Sequence, residues 1–120
     1  MRDVSEKADF VSQKGMTFLD RVLHLDEIQT TVTNLGTRYG IERAYLFGSY
    51  ARGDATPESD IDLRIDQGKL RGYFALSGLC LALQEQLGTK VDLLTSDSLD
   101  EKFLNRIHGE EILLYAGSGT

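Results

Sequence analysis

Gly48-Ser49-Tyr50-Ala51-Arg52-Gly53-Asp54-Ala55-Thr56-Pro57-Glu58-Ser59-Asp60-Ile61-Asp62-Leu63 is the stretch that decides the fold. Its last residues open a strict alternation that runs on to Asp66. Ile61, Leu63 and Ile65 fall on one side, and Asp60, Asp62, Arg64 and Asp66 on the other. That two-residue period predicts a strand with one buried face. Immediately upstream, Ile41 to Phe47 is a short apolar run bounded by Gly40 and Gly48, and it reads as a second strand. Between the two, Gly48 to Ser59 holds two glycines and the chain's single proline, the composition of a turn-rich loop with room for one helical turn.

Working outward, Phe18, Val22, Leu25, Ile28, Val32, Leu35 and Tyr39 recur every three or four residues and predict a helix stopped by Gly40. Thr17 is one candidate cap for its start, and Asp26 could equally begin a second helix. Lys69 to Leu87 carries Leu76, Leu79, Cys80, Leu83 and Leu87 at helical spacing, with Gly88 placed as a C-terminal stop. Val91 to Leu94 predicts a third strand. Ser98 followed by Glu101 has the pattern of a capping box, opening a helix whose face is Leu99, Phe103, Leu104 and Ile107. Ile112 to Tyr115 predicts a last edge strand. This order predicts an α/β (α+β) architecture: a small mixed β-sheet with helices packed chiefly on one face. Residues 1–16, with scattered apolar side chains among charges, read as a flexible or expression-derived extension, and 17–116 as one domain.

The chain has 120 residues, 41% of them hydrophobic, enough for one core. Its apolar stretches are broken well before the roughly 20 residues of a membrane span, and Met1 to Glu6 lacks a secretory apolar core. A cytoplasmic protein with no membrane contact is expected. The lone Cys80 has no thiol partner and reads as a small helix-buried side chain. A formal charge of −6, from 19 acidic and 13 basic residues, disfavours a nucleic-acid template. It suits a basic protein partner or a cationic small molecule.

Strand geometry puts the carboxylates of Asp60 and Asp62 on one face, about 7 Å apart. Such a pair binds hard cations that prefer oxygen; left unpaired, the two charges repel and one pKa rises. Two divalent ions are a common means of holding the attacking and leaving oxygens of a phosphoryl displacement. Ahead of them, a strand opening into Gly48-Ser49 offers free backbone N–H groups and a hydroxyl, which suit phosphate oxygens. His24 and His108 have no neighbouring metal pattern and read as solvated or capping residues. Tyr45, Phe47, Tyr50 and Phe74 are better placed as core than as a base-binding frame.

A strand, Gly-Ser, ten residues, and then Ser-Asp-x-Asp-Leu on a second strand together resemble the DNA polymerase beta superfamily of nucleotidyltransferases, and in particular its minimal members. The matching residues are Gly48, Ser49, Ala51, Arg52, Gly53, Ser59, Asp60, Asp62 and Leu63, and the resemblance covers about Ile28 to Leu114. It implies the nucleotidyltransferase fold, with a third carboxylate on a later strand, where Asp92 stands. It further implies that Asp60, Asp62 and Asp92 hold Mg2+, two ions in all, and that Asp92 orients or deprotonates the attacking hydroxyl. Gly48 and Ser49 would bind the β- and γ-phosphates of ATP, with Arg52 neutralising charge on them. Arg64 departs from the family, which places an apolar residue there, and could mark an edge that faces a partner.

Minimal members resemble one another in lacking an acceptor-binding domain and in pairing with a HEPN-domain toxin. The resemblance therefore implies transfer of AMP to a tyrosine of such a toxin, making this chain its antitoxin, in a hetero-oligomer or a homo-oligomer. Two alternatives stay open: nucleotidyl transfer to a small molecule such as an aminoglycoside, and a non-catalytic antitoxin that only binds the toxin.

Overall fold

The computed structural model describes residues 21–117, so the expected extension at 1–16 and a cap at Thr17 lie outside the described residues. The elements are α1 (Leu25–Tyr39), β1 (Arg43–Phe47), α2 (Gly48–Arg52), β2 (Ile61–Asp66), α3 (Tyr73–Leu87) and β3 (Val91–Thr95). A short 3-10 turn (Ser96–Ser98), α4 (Glu101–His108) and β4 (Ile112–Ala116) complete them.

The four strands form one mixed sheet in the order β3-β2-β1-β4. β1 runs antiparallel to both β2 and β4, and β2 runs parallel to β3. The alternation read from the sequence is realised on β2, where Ile61, Leu63 and Ile65 are buried and Asp62, Arg64 and Asp66 half-buried. Beneath the sheet lie α1, through Ile28, Val32 and Leu35, and α3, through Leu79, Leu83 and Leu87. These residues and the inner face of the strands make one continuous core. α4 lies apart from that core, and Phe103 on it meets Phe47 edge to face at 5.9 Å. No helix among the described residues is long and apolar enough to cross a membrane.

The starts of three helices differ from the sequence expectation. α1 begins at Leu25, one residue from the start at Asp26 that the sequence offered as the alternative to Thr17, because Leu23 is buried and its N–H donates to the Tyr50 hydroxyl at 3.2 Å. Val22 and Leu25, counted as part of the helical stripe, are exposed. At α4, Asp100 rather than Ser98 is the N-cap, its carboxylate accepting from the Phe103 N–H at 2.8 Å. The Ser98 hydroxyl is committed to the Thr95 carbonyl inside the 3-10 turn. α3 starts at Tyr73, after Gly72 at φ +89°, and leaves Tyr73, Phe74 and Leu81 in solvent.

Leu63 is wholly buried at the centre of the sheet, whereas Leu81 is 64% exposed. Leu63→Ala is expected to cost about 2–5 kcal/mol of unfolding free energy, and Leu81→Ala less than about 0.5 kcal/mol. Urea denaturation followed by circular dichroism checks both; equal losses would contradict the assignment of the core.

Candidate active site

β1 ends at Phe47, whose cross-strand partner is Asp62. The chain then turns through Gly48, at φ +75°, into the single helical turn of α2. A side chain on Gly48 would run into the Asp62 carboxylate, so both the backbone angle and the close approach demand glycine. Ser49 follows in α2, with its carbonyl accepting from the N–H groups of Gly53 and Asp54. The structure thus brings Gly48-Ser49 directly against the D-x-D strand.

The parallel register of β2 and β3 sets Asp62 opposite Asp92. Their carboxyl groups face each other across the two strands, with Asp60 close enough to add its charge. Burial foremost, and then the negative charge of Asp92, push the Asp62 carboxyl up to about 6. Lys90 reaches into the same corner, its Nζ lying 3.8 Å from Asp60 Oδ2 and 3.9 Å from Asp92 Oδ1. Among the described residues no three such side chains are drawn together tightly enough to enclose an ion as they stand. As a donor set, three adjoining carboxylates with only oxygen atoms to offer nonetheless fit a hard divalent cation, and the missing side chain at Gly48 keeps the approach to Asp62 open.

Arg52, half-exposed at the end of α2, pairs with Asp54 at 3.3 Å and with Glu110 at 3.4 Å. It lies close enough to Asp62 to oppose the rise in that carboxyl's pKa. Glu110 also accepts from the Gly48 N–H at 2.8 Å. Neither Glu110 nor Lys90 stood out in the sequence. Lys90 could have been found, since it lies two residues before Asp92 on the same strand face; nothing in spacing relates Glu110 to Gly48, 62 positions earlier.

Arg64, the departure from the family pattern, is not a partner-facing edge. Its guanidinium pairs with both oxygens of Glu111 (2.6 and 2.9 Å), donates to Ser96 Oγ at 2.7 Å and lies 4.1 Å from the centre of the Tyr45 ring. Both members of that pair are largely buried, at 13% and 7% side-chain exposure. Tyr45 and Phe47 therefore serve packing, Tyr50 anchors the segment before α1, and Phe74 is in solvent. Cys80 is half-buried, its thiol donating to the Val91 carbonyl at 3.5 Å.

Comparison with known proteins agrees with this geometry. A model of the family described as polymerase beta, nucleotidyltransferase, matches residues 28–119. A protein of Methanocaldococcus jannaschii, provisionally named a protein adenylyltransferase, is 33% identical over 90 residues, covering 75% of this chain and 97% of that protein. The protein adenylyltransferase MntA of Thermococcus cleftensis is 34% identical over 82 residues, covering 65% and 83% respectively. Among solved structures, a complex of a tri-AMPylated Shewanella oneidensis HEPN toxin with its MNT antitoxin holds a chain of the same fold. That chain superposes with a TM-score of 0.60 at 20% identity, over 77% of this chain and 72% of its own.

The raised Asp62 carboxyl has a consequence for stability. A carboxyl that ionises near 3.8 when unfolded and near 6 when folded lets the unfolded state shed its proton first. The resulting destabilisation grows as pH rises from about 4 and is complete above about 6. In metal-free buffer, Asp62→Asn is expected to stabilise the fold at pH 7.5 by about 1 kcal/mol, a figure reduced for the half-exposed setting. The gain should shrink to nothing near pH 4, which denaturant melts at a series of pH values will check.

Proposed function

The chain belongs to the polymerase beta nucleotidyltransferase family, and we propose that it transfers AMP from ATP to a tyrosine hydroxyl of a HEPN-domain partner, as the antitoxin of that pair. The observation that carries the proposal is the meeting of Gly48, Asp62 and Asp92 at one point, through the β1–β2 and β2–β3 registers. The relatives named as protein adenylyltransferases and the fold shared with an MNT antitoxin support the choice of AMP and of a protein acceptor. The net charge of −6 favours a protein over a polyanionic template.

In this reading the Gly48 N–H and the Ser49 hydroxyl bind phosphate oxygens of ATP, and Arg52 neutralises charge beside them. Mg2+, held by Asp60, Asp62 and Asp92, would offset the negative charge of the triphosphate. Asp92, 46% exposed on the open side of β3, faces the acceptor and takes the proton of the attacking hydroxyl. The hydroxyl oxygen forms a bond to the α-phosphorus, the bond from that phosphorus to the bridging oxygen breaks, and pyrophosphate leaves. Asp62, pressed against Gly48, fixes the distance between the phosphate cradle and the carboxylates. The reaction takes place in the cytoplasm.

The test is to incubate the protein with Mg2+, labelled ATP and the product of its neighbouring gene, and to read intact mass. One or more additions of AMP to the partner are expected, on tyrosine. Asp60→Ala with Asp62→Ala should abolish the addition, and Asp92→Ala should slow it at least about a hundredfold. A tight complex without any transfer would overturn catalysis in favour of binding alone. Gly48→Ala provides a second check: it should remove transfer as completely as the double aspartate variant, because the added methyl displaces the Asp62 carboxylate.

A further inference from the structure

Glu110 lies in the connection between α4 and β4, outside every segment whose sequence pointed to nucleotide chemistry. Its Oε2 accepts from the Gly48 N–H at 2.8 Å, and its Oε1 lies 3.4 Å from Arg52 Nη1. One carboxylate therefore engages both a backbone N–H and a guanidinium that the proposed function gives to the phosphates of ATP. A carboxylate and a phosphate present such donors with the same thing, a pair of anionic oxygens.

The placement of Glu110 is fixed by its surroundings. The N–H groups of Glu110 and Glu111 both donate to the Ile107 carbonyl at the end of α4, at 3.0 and 3.1 Å. Glu111 is clamped by both of its oxygens to Arg64, which is itself held by Ser96 and covers Tyr45. The backbone at 110 is thus tied to the middle of β2. The Glu110 side chain, 25% exposed, keeps access to solvent. Arg64, the residue that departs from the family pattern, is the anchor of this arrangement.

We propose that Glu110 is a built-in competitor for the phosphates: its carboxylate seats at Gly48 and Arg52 in the nucleotide-free protein and must be displaced before ATP can bind. This rests on the reading of Gly48 and Arg52 as phosphate-binding groups. The contact is a charge-assisted one, so it sets a threshold that a polyphosphate overcomes and that a nucleoside without phosphates never meets.

The experiment is calorimetric titration with ATP, inorganic tripolyphosphate and adenosine, in Mg2+, of the wild type, Glu110→Ala and Glu110→Gln. With the competitor removed, Glu110→Ala should bind ATP and tripolyphosphate about five- to twentyfold more tightly. Glu110→Gln keeps an oxygen for Gly48 but loses the charge, so its gain should be smaller, and adenosine binding should not change in either variant. If the wild type binds ATP and both variants bind it equally or more weakly, Glu110 positions the loop instead and the inference fails while the site reading stands. Should neither wild type nor variants bind ATP or tripolyphosphate, the phosphate site is wrong and the inference falls with it.

Discussion

The pairing of β2 with both of its neighbours is the constraint on which the rest of the structure depends. Because side chains alternate across a strand, burying Ile61, Leu63 and Ile65 against α1 and α3 forces Asp62, Arg64 and Asp66 to the opposite side. A slip of one residue would put three charged groups into the core and three aliphatic ones into water. The register is therefore held by several kilocalories of apolar burial, on the order of 1.5–3 kcal/mol per large side chain. The half-buried cluster of carboxylates, which repels itself, is stabilised at the expense of that burial.

From this register the site follows by two contacts. Antiparallel pairing with β1 brings Phe47 opposite Asp62, so the next residue, Gly48, is pressed against the carboxylate. Parallel pairing with β3 brings Asp92 opposite Asp62. At the first only a hydrogen atom fits, and at the second two carboxyl groups are close enough for the charge of one to raise the pKa of the other. The cations nearby are placed at the margins, Lys90 between Asp60 and Asp92 and Arg52 beside Glu110. The Gly48–Arg52 side and the carboxylate side of the site each have a charged group of opposite sign within reach, so its electrostatic balance is local to the chain.

A second network runs along the same strand face, toward the other end of β2. Arg64, Glu111, Ser96, Asp66 and Arg43 form a chain of charged hydrogen bonds, including a short contact of 2.5 Å from Ser96 to Asp66. Partial burial raises the stakes of such a network, because each charge that loses its partner keeps its desolvation cost. Its consequence is to tie the 3-10 turn and the start of β4 to the middle of the sheet. Arg64 thereby belongs to the architecture, whereas its departure from the family pattern had suggested an edge that faces a partner.

Much of this protein was legible in its sequence because the informative signals are local. The alternation from Asp60 to Asp66, the glycines at 40, 48 and 88, and the leucines of α3 each depend on neighbours a few residues away, and all appear in the expected elements. The boundaries that moved did so for tertiary reasons: Leu23 is held by Tyr50, and the hydroxyl of Ser98 is taken up by its own turn, leaving the cap to Asp100. Sequence by itself determined the strand that Asp60 leads into and that carries Asp62, the glycine that opens the short helix, and the family. Only the tertiary structure decided that Asp92 faces Asp62, that Arg64 is buried, and that Glu110 meets Gly48. Those pairings join residues about 30 to 60 positions apart, and pairing over such distances is set by the packing of the whole sheet, which leaves no periodicity in the chain to read.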